Sequence, residues 1–141
     1  MSLTADLQAL VGPKGLITDP AQAAPYLTDW RQRWHGSAQA IVRPATTADL
    51  SAVMTYCYQH DVAMVPQGGN TGLAGGATPA ANGQAVVIQL GRMQQIRALD
   101  RDNQTLTAEA GCILQDLQTA AAAADRYFPL SLGAEGRCQI G

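Results

Sequence analysis

A glycine-rich stretch that follows an apolar run constrains the fold of this chain more than any other feature. Residues 65–76 read VPQGGNTGLAGG, and they hold five of the chain's fourteen glycines. The apolar residues 62–65 come directly before the glycines, so a buried strand is predicted to end in a loop with few side chains. Glycine lets a partner approach the backbone closely, and successive N–H groups in a concave turn bind anionic oxygens. The loop therefore predicts a site for a phosphate-bearing ligand.

The glycine loop does not match the common phosphate-binding motifs. No Lys followed by Ser or Thr comes after its last glycine, so it is not a P-loop. It also lacks the G-x-G-x-x-G pattern of the Rossmann dinucleotide site. Glycine-rich stretches also form plain surface turns, and that alternative stays open at this point. If phosphate binds here, the scaffold is a different one.

Composition narrows the class of protein. The 141 residues are 47% hydrophobic and 14% charged, which predicts one globular domain or part of one. A net charge of -2 with scattered Lys and Arg excludes the electrostatic footprint of a nucleic-acid-binding protein. Three widely spaced cysteines without C-x-x-C indicate reduced thiols. We see no signal-peptide pattern and no membrane-spanning run, so we expect a cytoplasmic protein.

The first part of the chain has the pattern of parallel α/β structure. After a short amphipathic helix near residues 3–11, a strand is expected at 40–42, a helix from a Thr46–Asp49 capping box to about His60, and a strand at 62–65. Such a βαβ unit has parallel strands and a right-handed crossover. The apolar run 85–90 predicts a third strand, buried on both faces. The glycine loop then leaves the carboxyl end of a parallel strand, where open α/β sheets bind ligands.

The pattern changes after residue 93. Residues 96–99 and 105–110 flank the turn sequence DRDN, which predicts an antiparallel hairpin, and an alanine-rich helix is expected near 113–124. The predicted class is therefore α+β, with one subdomain over about 1–93 and the start of a second over about 94–141. The close of the chain, residues 128–141, is irregular.

Few side chains offer catalytic chemistry. His35 and His60 are the only histidines, and two side chains make neither a zinc site nor a hydrolytic triad by spacing. We predict no metal site and no catalytic residue. The segment 27–36 holds both tryptophans, and we expect their rings to pack over an edge of the core. Demanding chemistry would have to come from a cofactor.

Four stretches in order carry a family resemblance: TDWR at 28–31, PQGGNTGLAGG at 66–76, AGC at 110–112 with Leu114 and Leu117, and PLSLGAEGRCQIG at 129–141. Together they resemble the FAD-linked oxidases of the vanillyl-alcohol oxidase and p-cresol methylhydroxylase (PCMH) type. The similarity is strongest to the branch of D-2-hydroxyglutarate dehydrogenase, D-lactate dehydrogenase and the glycolate oxidase flavin subunit. It spans nearly the whole chain and implies the N-terminal part of a PCMH-type FAD-binding domain.

The resemblance implies which residues contact the cofactor FAD. Backbone groups of the glycine loop would hold the pyrophosphate, with the Thr71 hydroxyl as a further donor and Pro66 fixing the strand exit. The loop residues implied are Pro66, Gln67, Gly68, Gly69, Asn70, Thr71, Gly72 and Leu73. A second set would approach the isoalloxazine ring or the adenosine side: Gly133, Ala134, Gly136, Cys138, Ile140 and Gly141.

The resemblance also implies a reaction, in which a D-2-hydroxy acid reduces the flavin and a separate electron acceptor reoxidises it. The substrate-binding cap domain and the catalytic side chains would lie beyond Gly141, and the intact protein could be a homo-oligomer. Asn70 stands where several relatives carry a flavin-linking histidine, so non-covalent FAD is expected. Two alternatives stay open, a stand-alone phosphate- or nucleotide-binding module and a scaffold fragment without a ligand.

Overall fold

The computed structural model describes residues 2–141, which form two sheets and four α-helices. The helices are α1 (Leu3–Val11), α2 (Pro20–Ala23), α3 (Thr47–Gln59) and α4 (Leu114–Ala123). The strands are β1 (Leu16–Ile17), β2 (Ala38–Val42), β3 (Met64–Gln67), β4 (Ala85–Gln89), β5 (Ile96–Asp100) and β6 (Thr105–Ala108), with 3₁₀ turns at Pro13–Gly15 and Ala24–Tyr26. The predicted α+β class is confirmed.

The first sheet has the strand order β1-β2-β4-β3. β4 pairs in parallel with both β2 and β3, and the short β1 pairs antiparallel at the edge. β2 and β3 are therefore parallel, as the βαβ pattern predicts, but β4 lies between them. Every residue of β4 is buried, which confirms the strand predicted at 85–90 apart from its last residue.

Apolar residues cover both faces of this sheet. Helices α1 and α3 pack on one face, and the chain around α2 packs on the other. Thr46 and Asp49 form the predicted capping box: the Thr46 hydroxyl accepts from the Asp49 N–H at 3.0 Å, and the Asp49 carboxylate accepts from the Thr46 N–H at 3.1 Å. The helix-side core contains Leu7, Val11, Val42, Val53, Cys57, Val86 and Ile88. The opposite core contains Ala23, Ile41 and Val87.

The second sheet is the antiparallel hairpin of β5 and β6. Its turn is fixed by the Asp100 carboxylate, which accepts from the N–H groups of Asp102 and Asn103. The hairpin and α4 lie where the sequence predicts them. The boundary between subdomains near residue 93 stays a prediction. None of the helices in residues 2–141 is long and apolar enough to cross a membrane.

Candidate functional site

The glycine loop borders a cleft with a volume of about 780 Å³. β3 delivers the loop at its carboxyl end, and the Leu90 N–H donates to the Gln67 carbonyl at 3.1 Å, so the start of the loop is fixed to the chain that leaves β4. The lining residues are Pro25, Tyr26, Thr28, Asp29, Trp30, Gln32, Gln67, Gly68, Gly69, Asn70, Gln89, Ile113, Gly136, Arg137 and Gln139.

The side chain of Gln67 ties the two ends of the loop together. It is only 2% exposed, and its Nε2 group donates to the carbonyls of Tyr26 and Ala77, both at 2.9 Å. These two acceptors fix the orientation of the carboxamide and leave its Oε1 atom buried without a partner in residues 2–141. Because a buried polar atom normally has a partner, this oxygen indicates an acceptor for a ligand.

Asn70 holds the middle of the loop in the same way. Its Nδ2 group donates to the Thr28 carbonyl at 2.9 Å and to the Pro25 carbonyl at 3.2 Å. Its φ is 52°, in the left-handed region that asparagine tolerates better than most residues. The Asn70 side chain therefore points to the protein segment 25–28.

The loop glycines differ in what surrounds them. A Cβ on Gly68 would lie 3.3 Å from the Gln139 Cβ, and one on Gly69 would lie 3.0 Å from the Cys138 Cα, so both glycines let the segment 137–141 pack against the loop. A Cβ on Gly72 would meet no atom within 4 Å. Within the loop, φ is positive only at Asn70 and Gly75.

The backbone amides of the loop are free. Within the described part of the chain, the N–H groups of residues 68–76 donate to no protein acceptor. These nine successive N–H groups are therefore left to water or to a ligand, because backbone N–H groups in folded proteins are normally paired with one or the other where protein offers no acceptor. The loop can thus donate to an anionic ligand without first breaking a protein hydrogen bond.

A compact turn over residues 28–35 forms the facing wall, and we call it the tryptophan turn. The buried Asp29 carboxylate accepts from the Trp34 N–H at 2.7 Å and from the Arg31 N–H at 3.1 Å. The Trp34 N–H is the main cause that lowers the pKa of Asp29; burial opposes it, and the Arg31 N–H lowers it further. The carboxylate is therefore committed to holding its own turn in shape.

The tryptophan rings contradict the sequence-based expectation that they pack over a core edge. Trp30 is 57% exposed and lines the cleft, while the Trp34 ring lies 2.8 Å from the position a Cβ would take on Gly75. The Arg137 guanidinium carbon lies 5.1 Å from the centre of the Trp30 ring, which is within cation–π range. Asp29 anchors the turn from its buried side, and Trp30 lies on the exposed side.

The second predicted segment is attached to the start of α4. The Leu114 N–H donates to the Cys138 carbonyl at 3.0 Å, and the Ile140 N–H donates to the Cys112 carbonyl at 2.9 Å. The Glu135 carboxylate accepts from Gln118 and from a nearby serine, and the Gln118 bond is the main cause that lowers the pKa of Glu135. These bonds hold the segment beside the glycine loop.

The structure brings most of the predicted cofactor residues to two neighbouring cavities. Those lining the main cleft are Gln67, Gly68, Gly69, Asn70 and Gly136. Those lining an adjacent cavity of about 530 Å³, together with Trp30 and Arg137, are Thr71, Leu73, Gly133, Ala134 and Gly136. Those lining neither are Pro66, Gly72, Cys138, Ile140 and Gly141. The roles given to all these residues stay predictions.

Several cleft residues were missed from the sequence. Trp30, Arg137 and the glutamines Gln89 and Gln139 line the cleft, and the Gln139 Oε1 is a second buried oxygen without a partner in residues 2–141. The TDWR match at residues 28–31 was the one signal that could have directed attention to the tryptophan turn. The only sequence feature that pointed to Arg137 was its position between Gly136 and Cys138, two residues predicted to contact the cofactor.

The thiols of Cys57 and Cys112 do not add chemistry to the cleft. Burial raises the pKa of both thiols, so the reactive thiolate is disfavoured. All three cysteines are unpaired. In residues 2–141 there is no group of three or more His, Cys, Asp or Glu side chains that could hold a metal ion.

Comparison with known families and proteins agrees with this geometry. The profile of a family described as FAD binding domain matches residues 38–141. A rice protein (Oryza sativa subsp. indica) named "Probable D-2-hydroxyglutarate dehydrogenase, mitochondrial" is 39% identical over 95% of this chain, which covers 24% of that relative. The D-2-hydroxyglutarate dehydrogenase of Xanthomonas citri pv. viticola is 37% identical over 96% of this chain, which covers 28% of it. The chain thus spans about a quarter of the length of the curated relatives it matches.

Solved structures share the fold. An alkyldihydroxyacetonephosphate synthase superposes with a TM-score of 0.86 at 17% identity over 97% of this chain and 27% of its own. Substrate-bound p-cresol methylhydroxylase superposes with a TM-score of 0.76 at 21% identity over 93% of this chain and 26% of its own. The predicted fold, that of the PCMH-type domain, is confirmed.

Proposed function

Since this chain belongs to the family of FAD binding domains, we propose that it forms part of the flavin site of a dehydrogenase that oxidises a D-2-hydroxy acid to the 2-oxo acid. The observation that carries the proposal is the run of loop amides without protein acceptors, residues 68–76, whose first three residues line a cleft of about 780 Å³. Identities of 37–39% with proteins named D-2-hydroxyglutarate dehydrogenase support the choice of substrate class.

The residues present fit FAD. Its pyrophosphate requires several donors and little steric bulk, and the free N–H groups of residues 68–76 meet both requirements. The buried oxygens of Gln67 and Gln139 can accept from N–H or O–H groups of the ligand. The cleft is large enough for part of a dinucleotide, since ligand pockets usually measure about 300–1,000 Å³.

The chain's own contribution is binding and orientation. Bound FAD would supply the hydride acceptor for the oxidation. In the chain itself, Gln67 and Asn70 preorganise the loop, and Asp29 holds the tryptophan turn against it. Rigid donors of this kind lose little conformational entropy when a ligand binds. We assign no residue of this chain to the oxidation itself.

Anaerobic spectroscopy of the full-length protein that carries this chain tests the proposal. We expect a yellow protein whose visible flavin absorption is bleached by D-2-hydroxyglutarate or another D-2-hydroxy acid, while the L-enantiomer of the same acid leaves the spectrum unchanged. Bleaching by L-acids alone, or purified protein without flavin, would refute the dehydrogenase.

A stand-alone phosphate- or nucleotide-binding module is the second candidate. The free loop amides favour it as much as they favour FAD, because they recognise phosphate oxygens and carry no redox chemistry. A chain that binds nucleotides and shows no affinity for flavin would support this alternative. Calorimetric titration with FAD and with ADP separates the two.

The remaining partners and the compartment are also proposals. We infer a small-molecule acceptor or an electron-transfer protein as the oxidant, and a homo-oligomer as an arrangement to test by light scattering. The unpaired cysteines fit a reducing compartment, and we propose a cytoplasmic location. The rice relative is named mitochondrial. Fractionation of the source cells would decide between the two compartments.

A further inference from the structure

Arg137 is the one basic side chain that lines the cleft, and Asp29 is the one acidic side chain. The Asp29 carboxylate already accepts from two N–H groups of its own turn. In residues 2–141 the Arg137 guanidinium makes no hydrogen bond, and the single ion pair joins Arg97 to Glu109. Arg137 therefore presents a positive charge to the cleft that no protein group neutralises.

The position of this charge is restrained at both ends of the side chain. At the backbone, the Arg137 N–H donates to the Ala134 carbonyl at 2.8 Å, and its own carbonyl group packs on Gly69. At the tip, the guanidinium lies over the Trp30 ring, with 5.1 Å from its carbon to the ring centre. Arg137 is exposed, so this stacking restricts its side chain only in part, and correspondingly less rotamer entropy is left to lose when it binds a ligand.

The glycine loop lacks a charge of its own. It donates through neutral amides, and no lysine follows its glycines. The pyrophosphate of a dinucleotide is a dianion, and taking such charges out of water is costly unless they are paired. Arginine suits this task because its planar guanidinium can bind two phosphate oxygens at once.

We propose that Arg137, positioned by the Trp30 ring, binds the pyrophosphate of FAD and supplies the positive charge that the glycine loop lacks. This inference rests on the proposed function, because it requires FAD in the cleft. Trp30 is a positioning residue in this arrangement, and Arg137 contacts the cofactor. The glycine loop and the tryptophan turn thereby act on the same part of the ligand.

Equilibrium binding of FAD to flavin-free, full-length protein tests the role of Arg137. Charge-assisted hydrogen bonds contribute about 1.5–3 kcal/mol, so we expect Arg137→Gln to raise the Kd for FAD about ten- to hundredfold. The Kd of the variant should also depend less on salt than that of the wild type. Arg33→Gln is the matched control: Arg33 is an exposed arginine of the tryptophan turn that lines neither cavity, and the Kd should change less than about twofold.

A double-mutant cycle tests the role of Trp30. Trp30→Ala should weaken FAD binding when Arg137 is present and have little further effect beside Arg137→Gln. Equal losses in both backgrounds would show that the ring contacts the flavin itself and would overturn the positioning role. Arg137→Lys keeps the charge without the planar group, and its Kd should lie between those of the wild type and Arg137→Gln.

Two outcomes would overturn the assignment of Arg137. In the first, Arg137→Gln binds FAD as tightly as the wild type does. In the second, it binds more weakly but with unchanged salt dependence and a shifted visible flavin spectrum, which would place the contact at the ring. Wild-type protein that binds no FAD at all would instead refute the proposed function. Thermal melts of each variant exclude loss of fold as the cause.

Discussion

Gly69 packs directly on the backbone of Arg137: a Cβ at Gly69 would lie 2.9 Å from the carbonyl carbon of that residue. The glycine loop and the segment that follows α4 thus touch through main-chain atoms, although they are far apart in the sequence. Because φ at Gly69 is not positive, the glycine is required for this approach and not for a left-handed backbone. The two predicted cofactor segments are therefore parts of one packed site.

Gly69→Ala should consequently separate the two segments. The added methyl group would meet the backbone of Arg137 and Cys138, which cannot move aside easily. Overpacking of this kind costs about 1–3 kcal/mol. We expect a lower free energy of unfolding in urea and a lower flavin content in the purified full-length protein. Gly72→Ala is the control, because a Cβ there meets nothing within 4 Å, and it should change stability by less than about 0.5 kcal/mol. Equal stability of the two variants would contradict the packing argument.

Features of this fold that depend on nearby residues could be predicted from the sequence, and those that depend on distant segments could not. Thr46 and Asp49 are three residues apart, so their capping box could be predicted, and the apolar run of β4 identified a strand buried on both faces. The insertion of β4 between β2 and β3 could not be predicted, because strand order depends on packing between segments that are distant in the sequence. The contact of Trp30 with Arg137 is also long-range, and neither residue type alone indicates a cofactor site.

Gln67→Glu should destabilise the loop strongly at neutral pH. The substitution keeps the shape of the side chain but removes both donors and places a carboxylate against the carbonyls of Tyr26 and Ala77. An unpaired buried charge costs about 3–5 kcal/mol. Burial would raise the pKa of the new carboxyl, so its penalty grows as pH rises above the unfolded value of about 4.3 and shrinks below it.

Urea unfolding of Gln67→Glu at about pH 7 and about pH 4 measures this effect, and the gap to the wild type should narrow at the lower pH. Gln67→Met is the control, since it removes the same hydrogen bonds without a charge. Its cost should be about 1–3 kcal/mol at both pH values. A gap for Gln67→Glu that does not depend on pH would show that the carboxyl group reaches water.

Asp29→Asn should also differ less from the wild type in acid, here because the wild-type side chain loses its charge. The Trp34 N–H lowers the pKa of Asp29 below its usual 3.8, so the carboxylate stabilises the fold above that pH, and the stabilisation is lost as pH falls through the lowered value. The wild type should melt at a higher temperature than Asp29→Asn at about pH 7, and the difference should shrink below about pH 4. A difference that stays constant into the acid range would mean that the carboxylate does not stabilise the turn through its charge.

FAD should be bound to this protein without a covalent bond. A link to the flavin 8α-carbon needs a nucleophilic side chain, and the lone pair of a carboxamide nitrogen is delocalised into its carbonyl. The Asn70 nitrogen is also occupied, because it donates to Thr28 and Pro25 and so faces the protein. Acid precipitation of the full-length protein should leave a colourless pellet and free FAD in the supernatant. Cys138 is half-buried between the cleft residues Arg137 and Gln139 and carries a free thiol, so Cys138→Ala protein serves as the control. Flavin retained in the wild-type pellet but released from Cys138→Ala would contradict the prediction and locate the bond at the thiol.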